Sequence, residues 1–165
     1  MELENQTTKQ AYIQLLLDIL KKKLAILSEL MSLTIAQEEI LKQEDFDENE
    51  FSNTIESKEE QLEELAKLDI GFEQIYDSVR EELATQKVNY YHEIAQMQEY
   101  ITSITDLNVK LMALEKRNKS RLELILSQKR KDIKKSRMSS QTVAKYYKSV
   151  ANQSDVPSYF YDKKK

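Results

Sequence analysis

The chain has 165 residues, enough for one domain, with one Gly, one Pro, no Cys, no Trp and 33% charged residues. Sheets need turn residues every few positions and this composition barely supplies them, so abundant Leu, Glu and Lys point to an all-α protein. Without Cys there are no disulfides or thiolate metal sites. With a net charge of −4 and no apolar run of bilayer length, the expectation is a soluble, cytoplasmic protein without membrane insertion.

The opening MELENQTTKQ has neither a basic region nor an apolar core, so no signal peptide is expected. From about Thr8 to Gln43 the first predicted helix carries Ile13, Leu16, Leu17, Leu20, Leu24, Leu27, Leu30 and Met31 at spacings of three and four. Ile19, Ile26, Leu33 and Ile40 recur on an adjoining face, making the apolar arc wide enough for two packing partners. At about 1.5 Å per residue this is a rod on the order of 54 Å long.

An acidic corner, Gln43 to Phe51, follows. Asp47 and Glu50 have the spacing of a capping box, and Phe46 and Phe51 that of a hydrophobic staple. The second helix, about 48–85, shows a seam through Ile55, Leu62, Leu65, Phe72, Tyr76, Val79 and Leu83. Gly71 falls inside it and is read as a tolerated helix glycine, because the phase of the seam is unchanged across it. A short corner between long amphipathic helices predicts an antiparallel hairpin.

The seam continues through Tyr90, Met97, Tyr100, Ile104, Leu107, Leu111 and Leu114. One uninterrupted helix would leave that stripe uncovered, so a fold-back near Thr85–Asn89 is predicted, with a third helix over about 88–136. Asn118 and Arg121 then take seam positions, and the stretch from Gln128 to Arg137 has Ile133 as its only strong hydrophobe. After Ser139 and Ser140, a short helix from Gln141 to Ala151 would place Val143, Tyr146, Tyr147 and Val150 on one face. The remainder, with Tyr159, Phe160 and Tyr161, is too polar to fold alone and is expected to be a flexible tail. The predicted architecture is an elongated antiparallel bundle of three long helices over 1–138, followed by a short helix and tail over 139–165.

No pattern of catalytic chemistry emerges. His92 is the sole histidine, and Asn89 stands where a Glu-x-x-His pair needs its carboxylate, so no metal site or cofactor is expected. Adjacent acidic pairs such as Glu38-Glu39 and Glu63-Glu64 diverge by about 100° on a helix and read as solvated faces. There is no glycine-rich phosphate loop and no nucleophile elbow, so an enzyme is not expected.

Charge is uneven. Residues 1–116 hold 11 Lys and Arg against 25 Asp and Glu, whereas 117–165 hold 14 against 4. The basic stretch lacks interleaved aromatics and any DNA-binding motif, which favours pairing with the acidic helices over nucleic-acid binding. The C-terminal aromatics are the sharper anomaly, since tyrosines are enriched at interfaces. Packing of Tyr146 or Tyr147 on the bundle carries nearly equal weight with partner contact; for Tyr159, Phe160 and Tyr161 partner contact is preferred.

The run from Ile13 to Leu30, the corner Glu44-Asp-Phe-Asp-Glu, and the segment from Ile55 to Leu65 resemble FlgN-type flagellar export chaperones. Leu68-Asp-Ile-Gly-Phe72, Tyr76 and the late Ser139-Ser…Tyr146-Tyr147 look like the version found in clostridial flagellar operons. The resemblance covers roughly residues 11–150 and is carried by Leu/Glu/Lys patterns. It implies a cytosolic, non-catalytic helical bundle that holds hook-associated (hook–filament junction) proteins unassembled and delivers them to the flagellar type III export apparatus. It also implies that a C-terminal segment, often through a tyrosine, contacts cargo or export gate, a role mapped here to Tyr146 and Tyr147. The basic helix end and the Tyr-Phe-Tyr tail depart from the general pattern. The alternative is a non-enzymatic coiled-coil scaffold or adaptor that self-associates through its seams, and a homodimer is compatible with them. The polar C-terminal third favours the chaperone, because a scaffold would keep its seam throughout.

Overall fold

The computed structural model describes residues 2–132 and 144–149 of the chain. Three long helices, α1 (Glu2–Lys42), α2 (Glu48–Thr85) and α3 (Tyr91–Asp132), are followed by a short helical segment at 144–149, here α4. No strand occurs among the described residues.

The corner between α1 and α2 forms through local bonds. Asp47 has an extended backbone, and its Oδ1 accepts from the amides of Asn49 (3.0 Å) and Glu50 (3.2 Å). The Asp47 amide does not donate in return to the Glu50 carboxylate, so half of the expected capping box forms. The Phe46 and Phe51 rings pack with centroids 5.7 Å apart, as the staple requires.

The second fold-back spans 86–90, where the amides of Gln86 and Tyr90 reach the carbonyls of Glu82 (2.8 Å) and Gln86 (3.3 Å). The Tyr90 carbonyl accepts from Ile94 (2.9 Å) and opens α3, three residues later than the sequence suggests. Helix α1 starts earlier than Thr8. Glu2 and Glu4 lie in its first turn, where carboxylates favour the helix dipole, and Lys9 ties that end to Glu82 (3.5 Å) and the Ser78 carbonyl.

Helix α1 is the central rod, with α2 antiparallel and α3 parallel to it. Both pack along α1, while the α2 and α3 backbones barely approach each other. The wide arc of α1 therefore serves two partners. Ile13, Leu16, Leu17, Leu20, Leu27 and Leu30 are buried, with Ile19, Leu24, Ile26 and Met31 packed at the margin. On α3 the buried line runs through Met97, Ile101, Ile104 and Leu111, so Ile101 rather than Tyr100 takes the interior position. The line does not stop at Asn118, which is itself fully buried; Leu122 and Leu126 carry it to the corner end. There Lys129 donates to the Phe46 carbonyl (3.2 Å), stands 4.9 Å from the Phe46 ring and pairs with Glu48 (3.7 Å). No helix among the described residues is long and apolar enough to cross a membrane.

Candidate functional site: a buried polar cluster under the C-terminal helix

The seams of all three long helices are interrupted by polar residues. Lys58 stands three residues after Ile55 and four before Leu62, a position that points at the core. Glu115 and Asn118 occupy the steps between Leu111 and Leu122 on α3, and Thr34 and Gln37 those after Leu30 on α1. The bundle's register brings these interruptions to one level.

Lys58 and Glu115 are 1% and 2% exposed, and Thr34, Gln37 and Asn118 are fully buried. The Lys58 amine touches Glu115 Oε1 and donates to Gln37 Oε1 at 3.0 Å. Gln37 Nε2 donates in turn to Thr54 Oγ1 at 3.0 Å. The Thr34 hydroxyl lies 2.6 Å from the Leu30 carbonyl and 3.1 Å from Glu115 Oε1, its one proton serving either. Asn118 Nδ2 donates to the Thr34 carbonyl at 3.0 Å.

Helix α4 closes the cluster. The Tyr146 hydroxyl donates toward Glu115 Oε1 at 3.2 Å, with Glu115 Oε2 and Gln37 Oε1 each 3.4 Å away. Its ring lies 5.0 Å from the Lys58 amine, and the Tyr147 ring meets it edge-on with centroids 4.8 Å apart. Tyr146 thus touches side chains from each of the three long helices. Lys119 lies 5.7 Å from the Tyr147 ring.

Two effects oppose each other at Lys58. Burial pushes its ammonium down to about 6, while the touching carboxylate favours the charged form. The net direction is downward, because removal from water is nearly complete. Burial first, with Tyr147 and Glu59 adding and the Gln37 contact opposing, pushes the Tyr146 phenol well above its ordinary value. Burial and then Glu123 do the same for Tyr147. Both phenols therefore keep their protons, and the Tyr146 hydroxyl acts as a donor. Taking a charge out of water costs on the order of several kcal/mol per ion, which only good geometry and additional hydrogen bonds offset.

The offset is incomplete. Among the described residues, Asn118 Oδ1 and the Tyr147 hydroxyl, an acceptor and a donor, are buried without hydrogen-bond partners, as is Asn108 Nδ2. A second, smaller interruption joins Lys23 to Asp69 at 2.6 Å between α1 and α2, with Asp69 partly open to water.

Of the residues singled out for partner contact, Tyr146 and Tyr147 come together here, and the surface they cover belongs to the chain's own bundle. Val143, Val150, Tyr159, Phe160 and Tyr161 lie outside the described residues, as do the expected flexible tail and the ends of the short helix. Lys58, Glu115, Gln37 and Thr34 were not singled out by the sequence reading. Their signal was positional, a polar residue at a seam step on each helix. His92 is exposed, with its ring edge-on to Tyr91, and among the described residues no three potential metal ligands converge. Comparison of the chain with family models, with curated proteins and with solved structures gives no match.

Proposed function

We propose that this chain is a cytoplasmic, non-enzymatic chaperone of the flagellar type III export kind. In this reading it binds hook-associated proteins, keeps them from assembling prematurely and delivers them to the export apparatus. One observation carries the proposal: the Tyr146–Tyr147 pair is held on the bundle by a polar cluster where a structural helix would have an apolar seam. Contacts of that kind can be exchanged for others of similar chemistry, which suits a protein that must grip and release. The sequence pattern of residues 11–150 supports the same reading. Partner contact is assigned to Tyr146 and Tyr147, with Val143, Val150, Tyr159, Phe160 and Tyr161 as the flanking candidates.

The self-associating scaffold has less support. Tyr12, Leu15 and Ile35 are the exposed large hydrophobes of α1 beyond Leu3. At about 100° per residue, Ile35 projects from nearly the opposite side of the helix to Leu15, so they form no second seam.

Calorimetric titration of hook-associated proteins from the same genome into the full chain, and into a chain lacking Ser139–Lys165, tests the proposal. Saturable one-to-one binding that is largely lost on truncation is expected. Absence of binding by the full chain would refute the assignment.

A further inference from the structure

The face beneath α4 has a definite chemical character. It presents Glu115 Oε1 and Oε2 and Gln37 Oε1, three acceptors from two helices, beside the Lys58 amine. What it lacks from the three long helices is a further donor, and the segment seated there supplies one through the Tyr146 hydroxyl. The face therefore selects an amphipathic helix with an aromatic hydroxyl on its apolar side, because a purely aliphatic helix would leave the carboxylate short of donors.

Three observations make the present occupant exchangeable. Among the described residues, its side-chain hydrogen bonds to the long helices all come from one group, the Tyr146 hydroxyl. Its fit is imperfect, since the Tyr147 hydroxyl is buried without a hydrogen-bond partner among the described residues. Finally, it seals an amine–carboxylate pair away from water, so its departure returns hydration to both groups and offsets part of the lost contact.

We propose that α4 is a displaceable occupant, and that the face of Gln37, Lys58 and Glu115 accepts in its place an amphipathic helix of the partner bearing a tyrosine at the position of Tyr146. This rests on the reading that the chain binds a helical partner. Partner binding then competes with α4 for this face, and the displaced Tyr146 and Tyr147 turn to the same partner, so a lone helix binds better when α4 is unseated while the whole partner still loses affinity when Ser139–Lys165 are removed.

The test uses the full chain with Tyr146→Ala and Tyr147→Ala, titrated with a synthetic peptide of residues 139–165 as the model helix. The variant should bind the peptide one-to-one at least tenfold more tightly than the unaltered chain, whose own helix occupies the face. A Tyr146→Phe peptide should bind about tenfold more weakly, since it lacks the hydroxyl that meets the carboxylate. Circular dichroism checks that α1–α3 persist. Should the double variant lose them, the full chain with Tyr146→Phe alone retains the ring and should show a smaller increase in the same direction. Equal peptide binding by altered and unaltered chains, or none by either variant, would overturn the proposal. If the peptide exchanges as described but hook-associated proteins do not bind, the surface stands and the chaperone reading falls. If they bind all chains alike and the peptide does not compete, the chaperone reading stands and the exchange falls.

Discussion

Lys58 and Glu115 tolerate burial because other polar groups share them: Gln37 accepts from the lysine, while Thr34 and Tyr146 stand within bonding distance of the carboxylate. The worth of such a pair depends on how it is removed. Lys58→Met leaves the buried Glu115 carboxylate without its amine donor and should destabilise the bundle by about 3–5 kcal/mol. Adding Glu115→Leu removes the orphan, and the double variant should return to within about 1 kcal/mol of the original or exceed it, as apolar replacements of buried pairs often do. Urea denaturation of the three proteins gives both values. Additive losses would show that each side chain acts through its own packing. A pair this costly is well suited to fixing register, since sliding any one helix past the others would strand a charge.

At the scale of the element, what could be read from the sequence was what is decided within a few residues. The Asp47 cap and the Phe46–Phe51 staple are local, and the structure contains them. Asp47→Ala should cost about 0.5–2 kcal/mol, seen as a lowered denaturation midpoint; an unchanged midpoint would remove the cap from the account. Gly71 lies within α2 without a positive φ, and a methyl group there would meet Ile19 Cδ1 at 3.9 Å, ordinary contact. Gly71→Ala should therefore stabilise the protein by up to about 1 kcal/mol in the same assay, and a marked loss would contradict the continuous helix. The fold-back at 86–90 was legible for a different reason, that an unbroken helix would leave its stripe uncovered. The exact start of α3 was not, because it depends on Tyr90 being buried at the end of the bundle.

On the scale of the whole molecule, the three-rod architecture followed from periodicity together with the need to cover the apolar stripe, whereas the cluster did not. Each of Lys58, Gln37 and Glu115 taken alone is a polar break in a seam, and only their meeting at one level makes them a site. The two-way choice for Tyr146 was likewise undecidable from its own segment, since an aromatic residue in polar sequence suits the bundle and a partner equally. Packed on three helices through one polar cluster, α4 should behave as a unit that opens without the rest. Native-state hydrogen exchange of the intact chain measures this most directly. The amides of residues 144–149 should be protected, yet exchange through a local opening far less costly than the one that exposes the centre of α1. Tyr146→Ala should abolish that protection and leave α1–α3 unchanged. Exchange of 144–149 only together with α1, in one global event, would make α4 a fixed part of the core and contradict the account.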